Sequence, residues 1–226
     1  MFPGNKMKAF TLSYDDGIYQ DIRFVELINK YGLKCTFNLN SKIQTPRSNW
    51  MIGERKISRM EPDGLKELYK GHEIACHGET HANLCKLTRE EIIKELEEDR
   101  KTLTERFGVR PVGMAYAGGT YTDSVAAVIR EMGFAYGRTI DRSGNFDIPE
   151  DLLTYAPTCH HVDPELFHLA EEFIAATPDT PQLFYVWGHS YEFDVNDDWD
   201  RLEEFLKLIS GHDDIFYGTN REVFGV

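Results

Sequence analysis

Disulfide chemistry is the first thing this sequence is short of. Four cysteines occur in 226 residues, Cys35, Cys76, Cys85 and Cys159, and no two of them make a C-x-x-C pair. They read as reduced thiols, and no disulfide framework is signalled. Positive charge is the second scarcity: 25 Lys and Arg stand against 38 Asp and Glu, a net charge of −13. That balance argues against a nucleic-acid backbone as partner and makes strongly anionic polymers uncomfortable substrates. Neutral and cationic ligands stay open. No run approaches the ~18 apolar residues of a membrane helix, so no membrane partner is expected. Met1 to Lys8 has no apolar core behind its charges, so no secretory signal is read there and a cytoplasmic location is expected. Repeats, linkers and low-complexity tracts are absent too. What the chain does have is 41% hydrophobic residues, enough for one substantial core, and residues 1–226 are read as one domain.

Apolar strand-like runs alternate with helical periodicity along the chain. Ala9 to Tyr14 is rich in strand formers and stops at Asp15-Asp16-Gly17. Ile18, Ile22, Val25, Ile28 and Tyr31 then recur at helical steps ahead of Gly32. Lys34–Leu39 reads as a strand, Asn40–Pro62 as a polar insertion or lid, Asp63–Lys70 as a short helix and His72–His77 as a strand. Thr88 with Glu91 predicts a capping box for a long helix stopped by Gly108. Pro111–Tyr116 is strand-like, Ser124–Met132 helical, Phe134–Arg138 extended and Leu152–Thr158 strand-like. Asp163-Pro164 predicts an N-cap and first-turn proline, Leu183–Trp187 a buried strand, and Asp198 onward a helix. Repeated strand-then-helix units favour a parallel sheet, open or closed into a barrel.

In such folds the carboxyl ends of the strands share one face, where sites are assembled. Asp15-Asp16, His77, Gly118-Gly119 and His189 each follow a different expected strand, so four polar groups converge on one mouth. The plain alternative for Asp15-Asp16-Gly17 is a solvated turn. For His189 it is a structural histidine at the end of a buried strand. His77 and His81, four apart, can meet one ion if the backbone turns helically, with an oxygen from Asp15 or Asp16 completing a two-His, one-carboxylate set. A closed site using Cys76 or Cys85 competes with this. Strand alternation points Cys76 away from His77 and counts against that closed site.

Ser13-Tyr-Asp-Asp-Gly17, His77-Gly-Glu-Thr-His81 and Val186-Trp-Gly-His189 resemble, in order, motifs of the polysaccharide deacetylases, the NodB homology group or carbohydrate esterase family four. The resemblance implies an α/β fold, a distorted (β/α) barrel of about seven strands in a single domain. It also implies metal-dependent hydrolysis of an acetyl group, N-acetyl ahead of O-acetyl, on a carbohydrate substrate. By position, Asp16, His77 and His81 would hold the divalent ion, zinc first with cobalt, manganese or nickel as alternatives. Asp15 would be the general base, His189 the general acid, and an N–H near Gly118 would meet the oxyanion.

Two departures stand out. Where the family's third motif carries an arginine this chain has Ala115, and Gly118 replaces a tyrosine. Arg138, at a neighbouring strand exit, is the candidate substitute and is placed with Tyr116, Gly118 and Trp187 among the expected substrate-binding residues. The Asp-rich fourth motif is not legible, and Asp141 or Asp147 is the candidate to tune His189. His160-His161 are read as pocket-lining or loop residues, and Tyr191 and Phe193 as further aromatic candidates. The altered third motif motivates a second reading, hydrolysis of a non-sugar C–N bond in an amide or ureide on the same scaffold. A third reading is a catalytically silent glycan-binding relative.

Overall fold

The computed structural model describes residues 1–226. The strand on which the sheet is built, β1 (Lys8–Asp15), is buried along its whole length. Although it is covered on both faces, buried Thr11 and Ser13 alternate along it with Phe10, Leu12 and Tyr14. The chain continues through α1 (Asp21–Lys30), β2 (Cys35–Leu39), β3 (Asn49–Ile52), β4 (Arg55–Ser58), α2 (Pro62–Leu68) and β5 (Glu73–Cys76). Then come α3 (Arg89–Phe107), β6 (Gly113–Ala115), α4 (Asp123–Glu131), β7 (Tyr136–Arg138) and β8 (Cys159–His160). The last part holds α5 (Leu166–Ala175), β9 (Gln182–Gly188), α6 (Tyr191–Asn196), α7 (Trp199–Ile209), β10 (Ile215–Tyr217) and α8 (Asn220–Phe224).

Seven strands follow the order β7-β6-β5-β2-β1-β9-β8, and every pairing among them is parallel. The two ends of that series meet. Arg138 of β7 bridges Tyr155 in parallel, and the chain from Tyr155 runs directly into β8. The result is a distorted (β/α) barrel, as the resemblance implies. Distortion enters at β1, whose first half pairs with β10 and whose second half pairs with β2. A cluster of 40 buried apolar residues, among them Phe10, Phe24, Leu96, Phe184 and Phe205, fills the interior and the seam with the helices.

Several sequence expectations shift. The Asn40–Pro62 insertion holds an antiparallel hairpin, β3–β4, in a sheet of its own. Leu152–Thr158 begins as a 3-10 turn, and only Cys159–His160 pairs as a strand. α5 starts after Glu165 instead of at Asp163-Pro164, although the Asp163 carboxylate accepts the Glu165 N–H at 2.8 Å, as an N-cap would, and also meets Arg142 at 2.5 Å. Asp194 joins α1 to α7 by accepting from Gln20 (2.9 Å) and the Trp199 indole (2.8 Å). The Thr88–Glu91 capping box at the start of α3 is present as expected.

One buried side chain ties the active face together. Asp21, at the first turn of α1, accepts the Ile18 N–H (3.0 Å), the Tyr69 hydroxyl and the Ser190 hydroxyl (2.5 Å). It therefore links the turn after β1, the end of α2 and the turn after β9. Asp21→Ala leaves these buried donors without an acceptor, each costing about 1–3 kcal/mol. A loss of about 3 kcal/mol or more in urea denaturation is expected, and a change under about 1 kcal/mol would contradict this account.

Candidate active site

β1 ends in two aspartates whose side chains would normally alternate to opposite faces. Asp16 instead adopts a left-handed backbone (φ 81°), followed by Gly17 at φ 61°, and both carboxylates line one cleft. An Asp tolerates this region better than most residues, and backbone strain of this kind gathers at functional sites. Gly17 admits no side chain: a Cβ there would lie 2.8 Å from Leu39 and 2.7 Å from Gln44.

Asp15 is almost fully buried. Its carboxylate receives Arg138 Nη2 at 2.7 and 2.5 Å and Asn38 Nδ2 at 2.8 Å. Burial pushes the Asp15 carboxyl up, but the Arg138 guanidinium, helped by His77 and His189, outweighs it and holds the pKa at about 2. Arg138 is wholly buried, with its guanidinium 4.5 Å from the Trp187 ring centre. Ala115 of β6 is in direct register with Arg138 of β7. The guanidinium thus reaches Asp15 from the strand next to the one that carries the alanine. Sealed beneath the cleft, Arg138 does not itself line it, in contrast to its expected place among substrate-binding residues.

On the other side of the mouth, ligand atoms of Asp16, His77 and His81 all lie within 4.8 Å of one another. The expectation of a helical turn between the two histidines is not met. Left-handed turns at Gly78 (φ 81°) and His81 (φ 60°) bring the rings to 4.9 Å between centres. His77 Nδ1 lies 2.9 Å from the Ala115 carbonyl oxygen, which can only accept, so the ring proton sits on Nδ1 and Nε2 is free to ligate. Burial keeps His77 neutral, its pKa lowered to about 4. Two imidazole nitrogens and one carboxylate facing an open cleft fit a divalent cation. Cys76 is buried and Cys85 exposed, and neither joins the group.

α3 braces this loop from behind, a feature the sequence reading missed. Asp99 accepts the backbone N–H of Ser41 (2.9 Å) and of His77 (3.2 Å), and Glu95 accepts the Thr80 N–H at 2.6 Å. The hairpin insertion contributes as well: Arg59, just past β4, places Nη2 2.5 Å from Asp16 Oδ1.

His189 follows β9, with Nε2 3.8 Å from Asp15 Oδ2 and Nδ1 3.4 Å from Glu192 Oε1. The carboxylate beside it is thus Glu192. Asp141 instead faces the Tyr121 hydroxyl at 3.4 Å, and Asp147 has no contact with the imidazole ring. An H-x-x-E spacing at the start of a helix was the available signal. Burial would lower His189, but Glu192, Asp15 and Asp16 together raise it above its ordinary 6.5. Tyr116, Gly118 and Trp187 line the cleft of about 440 Å³, joined by Trp50, Ile140 and Tyr191. His161 and Phe193 are buried away from it.

A family model described as polysaccharide deacetylase matches residues 3–137. The chain belongs to the polysaccharide deacetylase family. This deacetylase-family chain is 32% identical over 124 residues to chitin deacetylase 1 of Cryptococcus neoformans var. grubii, a match covering 54% of the chain and 23% of that protein. The chain therefore spans about a quarter of the length of that relative. Among solved structures it superposes on a candidate polysaccharide deacetylase of Mycobacterium smegmatis with a TM-score of 0.71 and 16% identity, over 100% of this chain and 91% of the other. It also superposes on a family-four pseudoenzyme of Bacillus anthracis with a TM-score of 0.60 and 15% identity, over 97% and 66% of the two chains. At these identities the two superpositions establish the fold alone.

Arg138→Met leaves Asp15 as an unpaired buried carboxylate, so a loss of about 3–5 kcal/mol is expected in urea denaturation. Combining it with Asp15→Asn should recover part of that loss. Strict additivity of the two changes would show that the pair is not coupled.

Proposed function

We propose that this chain is a metal-dependent hydrolase that removes an acetyl group, from nitrogen in preference to oxygen, from a carbohydrate. One observation carries the reading. An aspartate held ionised and an imidazole held toward its protonated form face each other at 3.8 Å, beside a two-His, one-carboxylate group at the same mouth. A divalent cation held by Asp16, His77 and His81, zinc first and cobalt, manganese or nickel as alternatives, would polarise the acetyl carbonyl and acidify a water.

The chain's own groups supply the rest. Asp15 takes the proton of the attacking water, and Arg138 beneath it keeps the carboxylate ionised and aimed. The Gly118 segment, with its left-handed backbone (φ 66°), presents an amide to the developing oxyanion. His189 gives its proton to the departing nitrogen. The proton on Asp15 then returns to His189 through one water, since 3.8 Å exceeds direct hydrogen-bond reach, and both groups regain their starting states. Trp50, Trp187 and Tyr191 offer flat apolar walls of the kind that sugar rings cover. An acidic chain with a cleft of this size suits a short neutral saccharide better than a charged polymer. The existence of a similar-looking pseudoenzyme makes the complete set of Asp15, Asp16, His77, His81 and His189 the argument for turnover here.

Acetate release from a panel of acetylated saccharides is the test. It should be abolished by chelator and restored by Zn²⁺, and Asp15→Asn or His189→Gln should each lower kcat by ~10²–10⁴. Because Asp15 titrates at about 2 and His189 above 6.5, kcat/KM should show no acid limb from the base above pH 4 and an alkaline limb above pH 6.5. Tight saccharide binding with no release from any member of the panel would favour a silent binder. Turnover of cyclic amides or ureides alone would favour the non-sugar reading.

A further inference from the structure

Glu192 sits in the first turn of α6, three residues after His189, and meets three imidazoles at once. Its Oε2 lies 3.1 Å from His160 Nε2 and 3.1 Å from His161 Nε2, while Oε1 lies 3.4 Å from His189 Nδ1. We propose that Glu192 is the positioning residue of His189. It draws the imidazole proton to Nδ1 and leaves Nε2 facing Asp15 and the cleft, while His160 and His161 lock Glu192 in place. The proton-donor role of His189 rests on the function proposed above; the arrangement of the four groups does not.

The tautomers carry the argument. His160 Nδ1 accepts the Val162 N–H at 3.2 Å, so the proton of the neutral ring is on Nε2, the atom aimed at Glu192. His161 Nδ1 faces the Tyr14 hydroxyl at 3.1 Å, and with that hydroxyl donating, its Nε2 also carries a proton toward Glu192. Both donors converge on Oε2 and leave Oε1 for His189. Nδ1 of His189 is buried and forms no hydrogen bond, so Oε1 at 3.4 Å is the acceptor in its reach. None of the three approaches is an aligned hydrogen bond, since Glu192 Oε2, His161 Nε2 and His189 Nδ1 are all buried without a partner. Electrostatic attraction between the carboxylate and the ring N–H groups holds the cluster. Burial raises the Glu192 carboxyl, but the three imidazoles outweigh it and keep the group ionised.

The cluster is also fixed sterically. His161 is 1% exposed, lies parallel to Tyr14 (9° between planes) and stacks on Phe193 at 4.2 Å. Its Nδ1 occupies the space where a Cβ on Gly188 would sit, 1.9 Å away, directly before His189. The glycine thus leaves the room that the His161 ring fills beside the end of β9.

Ligand atoms of His160, His161 and Glu192 lie within 4.8 Å of one another, which raises a second cation as the rival account. The backbone argues against it. At His77 a carbonyl oxygen holds Nδ1–H and frees Nε2, whereas at His160 an amide N–H holds Nδ1 as acceptor and protonates the nitrogen that would have to ligate.

The test uses full-length protein labelled with ¹⁵N at histidine, with the ring tautomers read from two- and three-bond N–H correlations. At a pH high enough for the His189 ring to be neutral, wild-type His189 should be the Nδ1–H tautomer and His160 the Nε2–H tautomer. Glu192→Ala should release His189 into a tautomer mixture and lower kcat for acetate release ~10²-fold or more with KM little changed. Glu192→Asp should recover part of both. An Nε2–H tautomer at His189 in wild type, or a Glu192→Ala spectrum in which His189 is unchanged, would overturn the proposal. So would two bound Zn²⁺ per chain with one lost in His160→Ala. The tautomer and metal readouts need no turnover, so absence of deacetylase activity would count against the proposed function and leave this inference to be decided by the spectra.

Discussion

A carboxylate in a protein interior remains ionised only where fixed donors or a cation offset its desolvation, and for Asp15 that cation is Arg138. The pairing of Asp15 with Arg138 spans the barrel from β1 to β7, with three strands between them in the sheet order. Such a contact exists only if the sheet curls, because an open flat sheet would hold the two strands well apart at roughly 4.8 Å per strand. Closure through Arg138 and Tyr155 is therefore what allows a candidate base to be charged and buried together. The desolvation of both partners is the cost, and the Asn38 amide and the Trp187 ring complete the shell that offsets it.

Around that pair, each candidate group is oriented by a partner on a different element. Asp99 and Glu95 on α3 hold the loop from His77 to Thr80, the Ala115 carbonyl sets the His77 tautomer, and Glu192 on α6 faces the back of His189. The three supports act in the same way: an acceptor behind an imidazole or an amide decides which atom is left facing the cleft. Asp21 joins the turns that carry Asp16 and His189, so the two sides of the mouth do not move independently.

Much of the architecture was legible from residue pattern, and for identifiable reasons. The buried parallel strand β9 carries the unbroken apolar run Leu183–Trp187, and α3 advertises itself by Thr88, Glu91 and Gly108, where local hydrogen bonding and a left-handed residue end the helix. Short or irregular segments were not legible. β8 has two residues, too few for any periodicity, and α5 follows a turn at Pro164-Glu165 that carries the same capping residues as a helix start. The β3–β4 hairpin reads as a polar loop because its strands have four residues each and only Ile57 among them is buried, which leaves too little apolar pattern to read.

The sequence by itself determined that Asp15, Asp16, His77 and His189 stand at strand exits, since a strand's length and its terminating residues are local properties. Tertiary structure alone decided which charge answers which. Ala115 next to Arg138, Glu192 among three imidazoles and Arg59 against Asp16 are contacts between residues tens of positions apart or across a turn. Strand register and barrel closure bring them together, and neither is written in the spacing of residues along one segment.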